Sequence, residues 1–236
     1  MSEEKKSPVD HFSARAPEWH LLYAKPAFRQ RFDLFLSGVE SVAQPPAKIL
    51  DFGCGAGVMA TELARRGYNV TGVDAASGMV EAATRYATEQ NISNIKFYQT
   101  DTVGDTLPKN EFDIVICSSV LEYVERDTTL TQNLVAAIKP GGHLYISVPN
   151  SRSIIGKLED IVSRLGFRKR GNNNADVFFA HKRYAAGEFA SLLKKFGMRD
   201  IQHAYFECPF IGKLGWLVSK SSLIGVMNLT SGRKGD

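Results

Sequence analysis

Cysteine is scarce in this chain, three residues in 236. Cys54, Cys117 and Cys208 cannot all pair, and their spacing fits no zinc motif. A disulfide framework is therefore excluded, and a reducing, cytoplasmic setting is the natural expectation. Long apolar runs are missing too: none approaches the roughly 18 residues of a membrane-spanning helix. Residues 1–10 are polar and charged without an apolar core, so no signal peptide is expected and they read as a disordered tail. Nor is one sign of charge in large excess. The 29 Lys and Arg against 25 Asp and Glu leave +4, which does not by itself argue for nucleic acid, where a clustered basic face is expected. Apolar and charged fractions of 44% and 23% are ordinary for a globular protein. The length suffices for one α/β domain with a sizeable core.

What is present begins with Ile49-Leu-Asp-Phe-Gly-Cys-Gly-Ala-Gly-Val58. This reads as an apolar strand closed by Asp51, then a turn with Gly53, Gly55 and Gly57 at alternate positions, then a helix over residues 58–66. Such a turn lets backbone approach a ligand closely. The dinucleotide fingerprint G-x-G-x-x-G places its third glycine one residue later. A carboxylate at Asp51 suits a cationic or hydroxyl-bearing ligand and not a phosphate. A second apolar run, Tyr68-Asn-Val-Thr-Gly-Val-Asp74, ends in an acid about 20 residues past the turn, where a ribose-binding carboxylate is expected. A third strand over residues 94–102 carries Asp101. A fourth is Phe112-Asp-Ile-Val-Ile-Cys-Ser-Ser-Val-Leu-Glu-Tyr-Val124. A fifth is Ile138-Lys-Pro-Gly-Gly-His-Leu-Tyr-Ile-Ser-Val-Pro149, with a Pro-Gly-Gly turn signal before its alternating stretch.

These units, in this order over residues 48–150, resemble the class I S-adenosylmethionine-dependent methyltransferases. The resemblance implies an α/β, Rossmann-like sheet of seven mostly parallel strands, the last antiparallel, with helices on both faces. It also implies the cofactor S-adenosylmethionine and the product S-adenosylhomocysteine. The loop Gly53, Cys54, Gly55, Gly57 would pass under the methionine part. Asp74 would bond both ribose hydroxyls, Met79 would pack on the adenine, and Asp101 would accept from its amino group. Ser118 and Leu121 would line the far side, and Asp51, Ala75 and Thr102 complete the expected shell.

A narrower resemblance, to the ubiquinone-biosynthesis O-methyltransferases, rests on Phe12-x-x-x-Ala-x-x-Trp19, Lys25-Pro26 and Leu121-Glu122. It implies that Arg31 reaches the cofactor's carboxylate and that the acceptor is a small or lipid-linked molecule, methylated on oxygen. That family carries Leu-Glu-His-Val, with acids and a histidine in metal-ligand positions. Tyr123 replaces the histidine here, and Glu122 with Glu125 alone make a poorer site, so no metal is expected. Transfer to nitrogen or carbon, or cofactor binding without catalysis, stays open. A nucleic-acid substrate is not expected, because Cys117-Ser-Ser-Val stands where many amino-group nucleic-acid enzymes have Asn/Asp-Pro-Pro-Tyr.

The candidate bases are Glu122, at the sheet's carboxyl edge, and His181. The latter lies in Phe178-Phe-Ala-His-Lys-Arg-Tyr184, similar to an H-x-R-aromatic stretch of small-molecule methyltransferases. A packed, satisfied histidine is the alternative for His181. His143 opens the fifth strand at the wrong edge and reads as structural. Residues 11–236 form the expected domain. Residues 11–43 make a helical lid, broken at Pro17 and Pro26. Its stripe Phe28, Phe32, Phe35, Leu36, Val39 packs on the sheet, and its aromatics Phe12, Trp19, Tyr23 and Phe28 serve packing or ligand cover. Helices are expected over residues 78–90 with Ser77 as cap, 127–137, 154–165 and 184–196. Strands are expected over 199–206 and 223–230. Residues 151–183 and 207–222 are acceptor-side insertions. Their apolar faces, with Lys157, Arg164, Arg168, Lys169, Arg170, Lys213 and Lys220, form either a substrate lid or a peripheral membrane contact. The chain is expected to be a monomer or homodimer.

Overall fold

The computed structural model describes residues 7–101, 103–164, 182–207 and 221–235. Seven strands make one sheet in the order β3-β2-β1-β4-β5-β7-β6. They are β1 Lys48–Phe52, β2 Asn69–Asp74, β3 Ile95–Gln99, β4 Phe112–Ser118, β5 Ile138–Pro149, β6 Met198–Phe206 and β7 Met227–Lys234. The first five run parallel, and β7 is antiparallel to both β5 and β6. The helices are α1 Pro8–Trp19, α2 Pro26–Val42, α3 Val58–Arg65, α4 Ser77–Glu89, α5 Asp127–Ala137, α6 Ile154–Arg164 and α7 Ala186–Lys195. Short 3₁₀ turns lie at His20–Ala24 and Leu121–Tyr123.

The two-residue period of the strands sorts the core. Leu50, Phe52, Val115 and Cys117 pack with Leu130 and Leu134 of α5 and Phe189 and Leu193 of α7. Their neighbours Ile49, Ile114 and Ile116 point the other way, onto Phe32, Phe35 and Val39 of α2 and Met59 and Leu63 of α3. Both faces are thus covered, which is why β1 and β4 are apolar almost without interruption. The expected stripe of α2 is the one that is buried, except that Phe28 is only half-buried. Helix α2 comes close to the sheet at Gly38, where a Cβ would stand 2.6 Å from the Tyr145 ring. The tyrosine hydroxyl donates to the Gly38 carbonyl at 2.8 Å.

Several local expectations need correction. Residues 7–10 are not a tail. Ser7 caps α1, with its Oγ accepting from the Asp10 N–H at 3.2 Å, and Asp10 completes the capping box. Pro17 lies inside α1, and the break falls instead in the 3₁₀ turn before Pro26. Ser77 is the first residue of α4 and not its cap; the preceding Ala76 has its N–H taken by Asp74 Oδ1 at 2.9 Å. The last strand starts at Met227, because residues 221–225 form a turn closed by the Ile224 and Gly225 N–H on the Ser221 carbonyl. Tyr184 precedes its helix and bridges to Asn150. Removing the Ser7 cap should loosen α1 locally: Ser7→Ala is expected to cost about 1 kcal/mol. Hydrogen exchange should then speed up across α1 alone, and unchanged protection there would contradict the capping assignment.

Candidate functional site

The strand order reverses between β1 and β4, so their carboxyl ends flank the crevice where open α/β sheets bind ligands. The loop after β1 fills it. Gly53, Gly55 and Gly57 have φ of 74, 53 and 75°, in the left-handed region that favours glycine. At Gly53 a side chain is also excluded by space, since a Cβ would meet Val120 at 2.2 Å. The N–H groups of Gly53 and Cys54 both donate to the Val73 carbonyl, at 2.8 and 3.0 Å, which ties the loop to the end of β2.

Asp74 then braces the loop. Its Oδ2 accepts the Gly55 N–H and its Oδ1 the Ala76 N–H, each at 2.9 Å. Burial raises this carboxyl from the ordinary value, and the backbone N–H groups pull it back down. Asp51 is more extreme. It is 3% exposed, its Oδ2 has no hydrogen-bond partner among the described residues, and burial, then the Asp74 charge, push it up to about 7. Glu122 is its counterpart beyond β4. It too is 3% exposed, with no hydrogen-bond partner for Oε2 among the described residues, and burial raises it to about 7, against a downward pull from Arg31 and an upward one from Glu207.

Tyr23 supplies the hydroxyl of the site, near Asp51. Its hydroxyl is raised by burial and by Asp51, and it also feels Arg31 and Cys54. Arg31 Nη2 donates to Glu207 Oε1 at 2.6 Å, and the guanidinium lies 5.0 Å from the Phe28 ring centroid. The site therefore holds two carboxyl groups near neutrality, one guanidinium and one tyrosine hydroxyl, all largely withdrawn from water.

Helix α1 covers the loop. Trp19 stands over Gly55, where a Cβ would be 2.9 Å from its indole nitrogen. Phe12 packs edge-on against Trp19 and Tyr123, Trp19 against Phe28, and Phe28 against Tyr23. Beneath them Met79 is buried with Ala16, Ala56, Ala76 and Ala82. The aromatic set is thus packed core and roof of the loop at once. Cys54 and Cys117 are buried thiols that burial holds well above their ordinary value, as suits packing and not thiol chemistry.

The remaining candidates are less tightly gathered. Ala75 is half-buried, its carbonyl accepting from Gln99 at 3.0 Å. Asp101 is exposed and turned into its own loop, accepting the Val103 and Asp105 N–H groups. Ser118 ends β4 half-buried, opposite Ser147. Leu121 is 1% exposed and belongs to the hydrophobic core, so it backs the crevice more than it lines it. His143 pairs with Arg233 at the far edge, as a structural residue would. Thr102, His181 and Cys208 lie outside the described residues. Sequence reasoning missed Glu207 and the cluster Asp127, Lys182, Tyr184, in which Asp127 Oδ2 accepts from Lys182 Nζ at 2.7 Å and from the Tyr184 hydroxyl at 2.8 Å. Neither had a local signal: their partners lie 176, 55 and 57 positions away in sequence.

Comparison with known proteins now bears on this geometry. A family model described as a methyltransferase domain matches residues 25–203. A ubiquinone biosynthesis O-methyltransferase of Rickettsia canadensis is 38% identical over 133 residues, 56% of this chain and 56% of that protein. The mitochondrial one of Schizosaccharomyces pombe is 33% identical over 161 residues, 64% of this chain and 57% of that protein. The chain thus spans about half the length of the curated relatives it matches. Among solved structures, magnesium protoporphyrin IX methyltransferase of Synechocystis with bound S-adenosylhomocysteine aligns at TM-score 0.71 and 18% identity, over 96% of this chain and 98% of that one. A Haloferax volcanii methyltransferase complexed with the activator Trm112 aligns at 0.70 and 15%, over 98% of both chains. These two likenesses concern the fold, whereas the family match covers most of the sequence: the chain belongs to the methyltransferase-domain family.

Proposed function

We propose that this protein transfers a methyl group from S-adenosylmethionine to an oxygen of a small or lipid-linked acceptor. The observation that carries the reading is the Asp74-braced glycine loop together with two buried carboxylate oxygens, on Asp51 and Glu122, that have no partner among the described residues. Buried polar atoms without partners are costly and rare. Such atoms beside a cradle that side chains would fill fit a polar ligand of nucleoside size. The loop from Gly53 to Gly57 with Cys54 would hold the amino-acid part, with Asp51 near the amino group and Arg31 near the carboxylate. Asp74 and Ala75 would take the ribose, and Met79, Asp101, Thr102 and the Ser118–Leu121 edge the adenine. Bound there, the cofactor supplies an electrophilic methyl group on a positively charged sulfur leaving group.

The chain's own residues do the rest. Trp19 and Phe12 exclude water over the loop, which strengthens every charge interaction beneath them. Glu122 Oε2 accepts the acceptor's hydroxyl proton, and its elevated affinity for protons suits that task near neutral pH. His181 is the second candidate for this proton. The names of the curated relatives support oxygen as the acceptor atom and a lipid-linked substrate. A fluorescence or calorimetric titration with S-adenosylhomocysteine tests the cofactor assignment. Saturable binding in the micromolar range supports it, and no binding would overturn it.

One surface favours membrane contact as part of the same reading. Ile154, Leu158 and Ile161 of α6 are each about half exposed, beside Lys157. No described helix is long and apolar enough to cross a membrane, so contact would be peripheral. Flotation with anionic liposomes is expected to recover the protein at low salt and release it at high salt. Recovery at neither would leave α6 as part of a substrate lid in a monomer or homodimer.

A further inference from the structure

Arg31 is held by an acid that no motif announced. Glu207 directly follows β6, with φ of 62°, a conformation strained for a residue with a Cβ. Both of its backbone groups are fixed: the N–H donates to Gln30 Oε1 at 3.2 Å, and the carbonyl accepts the Val226 N–H at 2.9 Å. Helix α2 and the lead into β7 thus impose the strain together. The result is a carboxylate 2.6 Å from Arg31 Nη2, with both side chains under one-fifth exposed, 17% for Arg31 and 15% for Glu207.

A pairing of this kind is a poor device for stability alone, because burying two charges costs about as much as their attraction returns. Strained residues that persist are held by their surroundings and cluster at functional sites. The Arg31 guanidinium is fixed on two sides, by Glu207 and by the Phe28 ring. Its Nε–H remains buried without a hydrogen-bond partner among the described residues. Phe28, whose ring faces that guanidinium, packs edge-on against Trp19, and Trp19 stands over Gly55. That unused donor therefore belongs to the same cluster of residues as the glycine loop.

We propose that Glu207 is a positioning residue. By holding Nη2 it sets the plane of the Arg31 guanidinium, so that Nε–H is presented to the carboxylate of a ligand lying in the glycine loop. A guanidinium fixed in advance loses less side-chain freedom on binding than a mobile one. The proposal rests on the cofactor reading above and adds a residue to it that lies outside every cofactor motif.

The test compares two ligands on the full chain. S-adenosylhomocysteine carries the amino-acid carboxylate, whereas 5′-methylthioadenosine shares the nucleoside and sulfur without it. Glu207→Ala is expected to weaken S-adenosylhomocysteine binding by about ten- to a hundredfold, and to leave 5′-methylthioadenosine unchanged. Glu207→Gln keeps an oxygen for Nη2 and should restore most of the affinity. Should the alanine variant not fold, Glu207→Asp, which withdraws the carboxylate by one methylene, is expected to give the same selective loss. Equal loss of both ligands, or loss of neither, would overturn the positioning role while wild-type binding of S-adenosylhomocysteine left the cofactor reading standing. No binding of that ligand to the wild type would overturn both.

Discussion

Glu122→Gln should abolish most turnover while leaving cofactor affinity nearly intact. The substitution keeps the volume of a buried residue, but it removes the atom that accepts a proton. General-base catalysis contributes about 10²- to 10⁴-fold, so kcat is expected to fall by about that factor. The pH profile carries a second signature. Burial raises Glu122 to about 7, so its ionised, competent form accumulates only as pH rises through that value. Activity of the wild type should climb across neutrality, and Glu122→Gln should lose that limb. Stability should run the other way. A carboxyl whose folded pKa is raised binds its proton more tightly when folded, so its contribution is full below the unfolded value and is lost as pH rises through about 7. Asp51 shares both the direction and the value. His143 and His203, which burial lowers, pull against this trend, so the thermal midpoint of the wild type relative to Glu122→Gln should decline from mildly acid to neutral pH, and a difference that rises over this range would contradict the burial of Glu122.

Asp74→Ala is the second large effect, and it acts on two quantities. In the folded chain Asp74 accepts the N–H groups of Gly55 and Ala76. Removing it leaves two partly buried donors without their acceptor, which costs about 1–3 kcal/mol of stability. It also removes the carboxylate proposed for the ribose hydroxyls, worth about 1–3 kcal/mol of ligand affinity. Both losses should appear together, in a lowered melting temperature and in a weaker titration with S-adenosylhomocysteine. Asp74→Asn separates them: its one amide oxygen can serve only one of the two N–H groups, so the loop should stay partly braced while ribose binding falls. Unchanged affinity in both variants would contradict the assignment of Asp74.

The first five strands were legible because each pairs an apolar run with a turn or an acid at its carboxyl end, and these signals are local. The glycine turn was legible for the same reason, since left-handed backbone at Gly53, Gly55 and Gly57 requires the residue type that the sequence displays. The early boundary given to the last strand followed from apolar Leu223 and Ile224, which sit in a turn held by backbone bonds that composition does not encode. The cap of α1 was misjudged because a polar, charged stretch reads as tail until the Ser7 and Asp10 spacing is weighed. Within the site, what escaped was non-local. Nothing near Arg31 announces Glu207, and nothing near Asp127 announces Lys182 and Tyr184. These partners meet only when β6 and the segment before α7 are brought back across the carboxyl edge of the sheet. The elevated proton affinity of Asp51 and Glu122 is likewise a product of burial, which exists only in the folded chain.

The central claim is tested most directly by incubating the purified chain with methyl-labelled S-adenosylmethionine and a polyprenylated catechol in detergent, and following the label by mass spectrometry and NMR. The label is expected on one catechol oxygen, with S-adenosylhomocysteine formed in equal amount and both lost in Glu122→Gln. Label that reaches no acceptor oxygen, from a protein that binds S-adenosylhomocysteine, would contradict oxygen methylation and leave the chain a cofactor-binding protein of another chemistry.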